Sequence, residues 1–267
     1  MRSWIGCRFI SRPCVKRRAR PAALQARAAC VLLVAAGSLQ GQQAAEPVRG
    51  EPPPGSVNEA VGVATPGAPP ALQAVPDQRP ADARELLAAF AKLQGMEASF
   101  VETKHLALLA VPLQSAGRFY FSAPGYLLRV VQTPEPSRLL IEPGQLRMTN
   151  RDGTETIDLR QSDGLRLFVT SLVRVFSGDE KALAEHYTMA FAAPPDTDGW
   201  TLSLTPKAAP LTQMIRELSL SGTGFATHTI VVKEPNGDRS VTTLAEVDVA
   251  RVFSAEERHE LFGIAPR

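Results

Sequence analysis

Three aromatic residues in a row, Phe119-Tyr120-Phe121, followed closely by Leu127-Leu128 and Val130-Val131, constrain the fold of this chain most strongly. Successive side chains of a β-strand point to opposite faces of its sheet, so each face here receives a large ring and several branched aliphatics. An antiparallel sheet with one wet face keeps its outward positions polar. These strands therefore belong either to a sheet covered on both sides or to one curved around an apolar hollow. With 267 residues, 44% of them hydrophobic, the chain has enough apolar material for one large core.

The segments around this run read as alternating strands and turns. Gly117–Phe121, Tyr126–Gln132, Arg138–Ile141, Gln145–Thr149 and Glu155–Leu159 are separated by Pro124-Gly125, Thr133-Pro134-Glu135-Pro136, Pro143-Gly144 and Asp152-Gly153. Asp82 to Leu93 precedes them as an amphipathic helix, with Asp82 and Glu85 at capping-box spacing and Leu86, Leu87, Phe90 and Leu93 on one stripe. Leu165, Phe168, Val169, Leu172 and Phe176 repeat at helical spacing up to Gly178, and Asp179 to Tyr187 forms a second, shorter helix. Strands resume at Thr188–Ala192, Trp200–Leu204, Met214–Ser221, Thr227–Lys233 and Ser240–Val249. Asn236-Gly237 joins the last two as a hairpin, and Ser254 with Glu257 caps a short terminal helix. About ten antiparallel strands, one helix before them and two inserted define an α+β domain: a strongly curved sheet with helices against one face.

The domain occupies residues 81–267. Residues 1–45 form a signal peptide and processing region: eight basic residues and no acid through Arg27, then the short apolar run from Ala28 to Ala36 and small residues. Cleavage fits after Gly37, Ser38 or Ala45; left uncleaved, the segment is an inner-membrane anchor. Nine apolar residues fall short of the ~20 needed to span a bilayer. Residues 46–80 carry nine prolines and no aromatic residue, which makes them a disordered linker. Beyond Arg27 the chain holds 21 Lys/Arg against 27 Asp/Glu, a balance that disfavours nucleic acid as a partner. All three cysteines lie at or before Cys30, so the domain has no thiol nucleophile, thiolate metal site or disulfide.

Motifs of covalent chemistry are missing. The chain contains no G-x-S-x-G, P-loop, dinucleotide fingerprint or H-E-x-x-H, and Gly222-Thr223-Gly224 reads as a loop at a strand end. His105, His186, His228 and His259 are scattered; Glu102-x-x-His105 and Glu185-His186 are acid–base pairs only on paper. The expectation is a protein that is not an enzyme, with no catalytic residue, metal or cofactor.

The order of segments resembles the periplasmic lipoprotein carriers of the LolA type. Gly95-Met96-Glu97-Ala98-Ser99-Phe100-Val101-Glu102 is similar to their first strand, Gly117 through Arg129 to their second and third strands, and Trp200-Thr201-Leu202-Ser203-Leu204-Thr205-Pro206-Lys207 to their L-T-P-K segment. Phe176-Ser177-Gly178-Asp179, Tyr187 and Asn236-Gly237-Asp238 point to a divergent branch. The resemblance implies an unclosed antiparallel β-barrel of ten to eleven strands, with helices as a lid over an apolar cavity. It implies a monomeric periplasmic carrier that takes a lipid or lipidated protein from an inner-membrane exporter towards an outer-membrane acceptor. The cavity wall would comprise Leu86, Phe90, Phe119, Phe121, Leu127, Arg129, Val131, Leu139, Ile141, Phe168, Leu172 and Phe176. Two positions depart from the carriers. Ala123 stands where they have an arginine tied to lid closure, and Arg129 where they have a cavity-facing aromatic. Arg129 either faces the cavity, where it can pair with an anionic head group, or points outward after a one-residue slip. A lipid sensor that holds a regulatory partner, and a lipid-processing enzyme, are the alternative functions.

Overall fold

The computed structural model describes residues 79–265; the signal peptide and nearly all of the linker read from the sequence lie outside them. Helix α1 (Ala83–Phe90) leads into strands β1 (Gly95–His105), β2 (Leu113–Ser122), β3 (Tyr126–Thr133), β4 (Ser137–Glu142), β5 (Gln145–Asn150) and β6 (Gly153–Asp158). Helices α2 (Asp163–Phe176) and α3 (Glu180–His186) follow. Then come β7 (Tyr187–Ala192), β8 (Gly199–Pro206), β9 (Glu217–Thr223), β10 (Ala226–Lys233), β11 (Arg239–Asp248) and the terminal helix α4 (Ala255–Phe262).

All eleven strands form one antiparallel sheet in the order β6-β5-β4-β3-β2-β1-β11-β10-β9-β8-β7. The edge strands β6 and β7 do not pair, so the barrel is unclosed. They are also consecutive in the chain apart from α2 and α3, so the connection between the two edges has to cross the open side, and it does so as helices. Register shifts at Glu97/Ser99, Ala116/Gly117 and Thr227/Thr229 give the sheet the local bends that a curved sheet needs. At the second of these, a side chain on Gly117 would begin 1.9 Å from the Val130 carbonyl oxygen, so only glycine allows β2 and β3 to approach there.

The both-face apolarity of β2 and β3 has two causes. Phe119, Phe121, Leu127 and Val131 point into the main core on the concave side, with α1 and α2. Tyr120, Tyr126, Leu128 and Val130 point the other way and join Leu140, Phe253, Phe262 and Ile264. The terminal helix α4 thus covers the convex face. Its capping box is complete: Ser254 Oγ accepts from the Glu257 N–H, and Glu257 accepts from the Ser254 N–H. The cap of α1 differs from the expected one. Asp82 accepts from the Glu85 N–H, but Glu85 reaches the Ala81 N–H, one residue earlier than a capping box requires. Helix α1 also stops at Phe90 rather than Leu93. The expected strand at Met214 starts only at Glu217, because Leu211–Gln213 winds into a 3₁₀ turn whose Leu211 carbonyl accepts from Met214 and Ile215.

Gly178 between α2 and α3 fixes α1 against them. It has φ +65°, and a Cβ there would lie 2.0 Å from the Leu87 carbonyl oxygen and 2.5 Å from the Ala91 nitrogen. Gly178→Ala is expected to cost about 1–3 kcal/mol, read as a lower urea midpoint with an unchanged slope.

Candidate functional site

Helix α2 shapes the interior. Ser162 caps it by accepting from the Leu165 N–H, and Asp163 in its first turn complements the helix dipole. Its apolar stripe of Leu165, Phe168, Val169, Val175 and Phe176 is fully buried against the concave sheet. Phe176 is the hub of an aromatic cluster, with ring centroids 5.6 Å from Phe119, 5.9 Å from Phe121 and 6.1 Å from Phe90. Phe90 in turn packs edge-on to Trp200 at 6.2 Å, whose indole N–H donates to the Gly224 carbonyl at 2.9 Å.

Between α2 and the sheet lies an apolar cavity of about 50 Å³, lined by Phe119, Leu127, Arg129, Leu139, Ile141, Phe168, Leu172, Phe176, Ile230, Val232 and Thr242. Eight of the twelve expected wall residues are among these. Leu86, Phe90 and Phe121 are buried in the same core but do not line the cavity; Val131 instead lines a small cleft beside Arg129 and Leu139. Ile230, Val232 and Thr242 were not anticipated. Their strands were legible, but the face each residue takes is set by pairing across the β1–β11 seam, between strands far apart in sequence. A space of ~50 Å³ is smaller than the ~150 Å³ that accommodates benzene in a protein core. The chain's own α2 therefore fills the hollow, and a long ligand has room only if α2 moves out.

The cavity has one charged end. Arg129 lines the cavity together with Leu127 and Leu139 and is 7% exposed, so it faces inward. Its guanidinium pairs with Glu102, donates to Ser115 Oγ at 3.0 Å and stacks on the Phe100 ring at 4.5 Å. Next to it, Lys104, 2% exposed, pairs with Glu234 at 3.5 Å. Glu102 Oε1, Thr227 Oγ1 and Ser240 Oγ are buried and make no hydrogen bond among the described residues. Burial pushes the Glu102 carboxyl above its ordinary 4.5, against the pull of Arg129, Lys104 and Ser115. The same burial holds the Arg129 guanidinium below its ordinary value, opposed by Glu102. For both partners desolvation outweighs pairing, as expected of an enclosed ion pair. The interior is thus amphipathic: aromatic under the C-terminal half of α2, polar but charge-balanced near the β1–β2 and β10–β11 turns. The sequence did not reveal Glu102 as part of this end. Glu102 points inward and His105 is exposed, so the two do not form a pair. Among the described residues no group of three or more His, Cys, Asp or Glu gathers to hold a metal, and no helix is long and apolar enough to cross a membrane.

The chain is thus an unclosed antiparallel sheet with a helix seated in its apolar concave face, the architecture of an open barrel around one interior. The chain belongs to the family described as outer membrane lipoprotein carrier protein LolA-like, which matches residues 75–262. No curated protein sequence matches it. Solved structures that it resembles include a LolA superfamily protein from Nitrosomonas europaea (10% identity, 65% of this chain and 96% of that one, TM-score 0.35). LprF from Mycobacterium bovis is another (12%, 66% and 97%, 0.32), as is the MucA/MucB complex of Pseudomonas aeruginosa (12%, 66% and 60%, 0.37).

Proposed function

We propose that this protein is a periplasmic carrier. In this reading it holds the acyl chains of a lipoprotein or another lipid on the concave face of the sheet and passes them towards the outer membrane. An inner-membrane exporter would supply the cargo and an outer-membrane acceptor would receive it, with no covalent step. The observation that carries this reading is α2 itself. The concave face is apolar, and three α2 residues, Phe168, Leu172 and Phe176, line the cavity in it; in this reading they fill the space that a fatty chain would take.

The energetics are close to balanced. Exposing three such side chains costs roughly 5–9 kcal/mol at about 1.5–3 kcal/mol each. Burying a C16 chain gains on the order of 10 kcal/mol at ~0.8 kcal/mol per CH₂. A helix that fills the empty site and yields to cargo lets the protein stay soluble in both states and release its load to an acceptor. The charged end favours a cargo whose polar linkage lies beside Arg129 and Glu102. Because Glu102 already meets the Arg129 charge, an anionic head group would have to displace that carboxylate.

Organic extracts of the protein purified from its native envelope are expected to contain stoichiometric acyl lipid by mass spectrometry. Leu172 is only half buried, so Leu172→Gln is expected to leave the urea midpoint nearly unchanged while lowering retained lipid several-fold. Extracts free of acyl lipid from both the wild type and the variant would refute the carrier reading.

A further inference from the structure

The loop between β1 and β2 exposes large apolar side chains of a kind that globular proteins bury. Leu108 is 96% exposed, Val111 72% and Leu109 39%, and Leu113, the first residue of β2, is 42% exposed. From Leu106 to Gly117 the chain carries no charged residue. The loop is also braced. The Ala107 N–H donates to Asp238 Oδ1 at 2.8 Å, the Leu109 N–H donates to the Leu106 carbonyl at 2.9 Å, and Asp238 is tied to Asn236 in the β10–β11 turn. The result is a finger whose tip projects and whose base is fixed. At that base His105 and Arg239 stand opposite each other in register, both exposed.

We infer that this finger is a membrane-docking loop that inserts Leu108 and Val111 among the lipids of a bilayer surface. Three features favour a bilayer over a protein groove. Leu108 and Val111 are exposed over most of their surface, a full exposure that fluid acyl chains can cover without a matching pocket. Strands β1 and β2 are interior strands already paired on both sides, so the hairpin offers no free backbone edge for strand addition. Apolar residues at the tip above the exposed guanidinium of Arg239 at the base match the depth order of an interfacial segment, with a cation at head-group level.

Position gives the loop a purpose. The β10–β11 turn that braces it also lines, through Glu234, Pro235 and Asn236, an open groove of about 870 Å³ against the start of α2 at Ser162–Gly164. The same end of the sheet holds Lys104, Glu102 and Arg129. Insertion of the finger would set the mouth of the interior on the membrane, where a chain can pass between bilayer and cavity without crossing water. This contact is separate from cargo binding and does not depend on it.

The test uses the full chain and vesicles of phosphatidylcholine with phosphatidylglycerol. Leu108→Trp is expected to shift its emission to the blue on adding vesicles and to be quenched by lipids brominated on the acyl chain. Every sample carries Trp4→Phe, and Trp200, which is buried, is expected to report no such change. Leu108→Asp with Val111→Asp is expected to weaken vesicle binding at least about tenfold while leaving the urea midpoint and the extracted acyl lipid as in the wild type. No quenching at position 108, or vesicle binding unchanged in the double variant, overturns the proposal. So does a blue shift caused by envelope protein in the absence of vesicles. Because lipid retention is read in the same samples, loss of the docking loop and failure of the carrier reading give different results.

Discussion

Arg129→Met is expected to cost about 3–5 kcal/mol of folding free energy near pH 8 and much less near pH 4. The guanidinium is the main counter-charge of Glu102, which is 2% exposed. Removing it leaves a carboxylate enclosed by Phe100 and the apolar wall, with only Lys104 and Ser115 in support. The pH dependence follows from which state holds the proton. Burial already sets the folded carboxyl above its ordinary 4.5, and loss of Arg129 raises it further. Below the unfolded value both states are protonated and no buried charge remains. Above it the unfolded chain ionises first, so stability falls as pH rises, by up to about 1.4 kcal/mol per unit, until the folded carboxyl also ionises. The double variant Glu102→Leu with Arg129→Met removes both charges and should regain most of the loss. Urea titrations of the wild type and the three variants at pH 4, 6 and 8 measure all of this. A cost below about 1 kcal/mol at every pH would mean that water reaches the pair and that this end of the interior is open.

This pair marks the limit of what could be read from the residues alone. Local patterns sufficed for most elements. Pro-Gly and Asn-Gly turns punctuate the strands, Ser254 caps its helix, and the period changes at Gly95 and again at Leu165. The consecutive rings of β2 showed that both faces were apolar, but not why. The two halves of the explanation, a helix-filled concave side and α4 on the convex side, depend on where residues 253–264 return, which no local period encodes. Arg129 could be placed on either face because β3 is apolar on both, and alternation alone does not break that tie. What breaks it is Glu102, whose carboxylate lies on the inward face of β1, two strands away. Exposure of the β1–β2 loop was equally hidden: Leu106-Ala107-Leu108-Leu109-Ala110-Val111 reads as buried strand or helix by composition, and only the tertiary fold leaves it outside.

The sharpest test of the carrier reading is to prevent α2 from moving, because the cavity is too small for cargo while α2 is seated. The described domain contains no cysteine, so once Cys7, Cys14 and Cys30 are replaced by serine the introduced pairs meet no competing thiol. At the C-terminal half of α2, a Cβ on Gly125 would lie 3.5 Å from Val173 Cγ1, which suits Gly125→Cys with Val173→Cys. At the N-terminal end, a Cβ on Gly164 would lie 2.7 Å from Met214 Sδ and 3.5 Å from its Cγ; there Gly164→Cys with Met214→Cys replaces both close partners at once. In each pair the side chain of one residue already reaches the Cβ position of the other, and loss of free thiol on oxidation confirms that the cross-link has formed. Each cross-link ties the helix to a different turn, so together they distinguish a lid hinged at Gly178 from one hinged at Ser162. If α2 pivots about its C-terminus, oxidation of the 164–214 pair should abolish uptake of a fluorescent fatty acid, by at least about tenfold, while the 125–173 pair leaves it intact. A pivot about the N-terminus gives the reverse, and wholesale lifting gives loss in both. Reduction should restore uptake in every case, which separates a locked lid from a damaged one. Uptake unaffected by either disulfide would mean that the chain enters elsewhere, and the role assigned to α2 would be wrong. Uptake lost with either lock and restored by reduction would show that the concave interior opens by moving the helix that fills it.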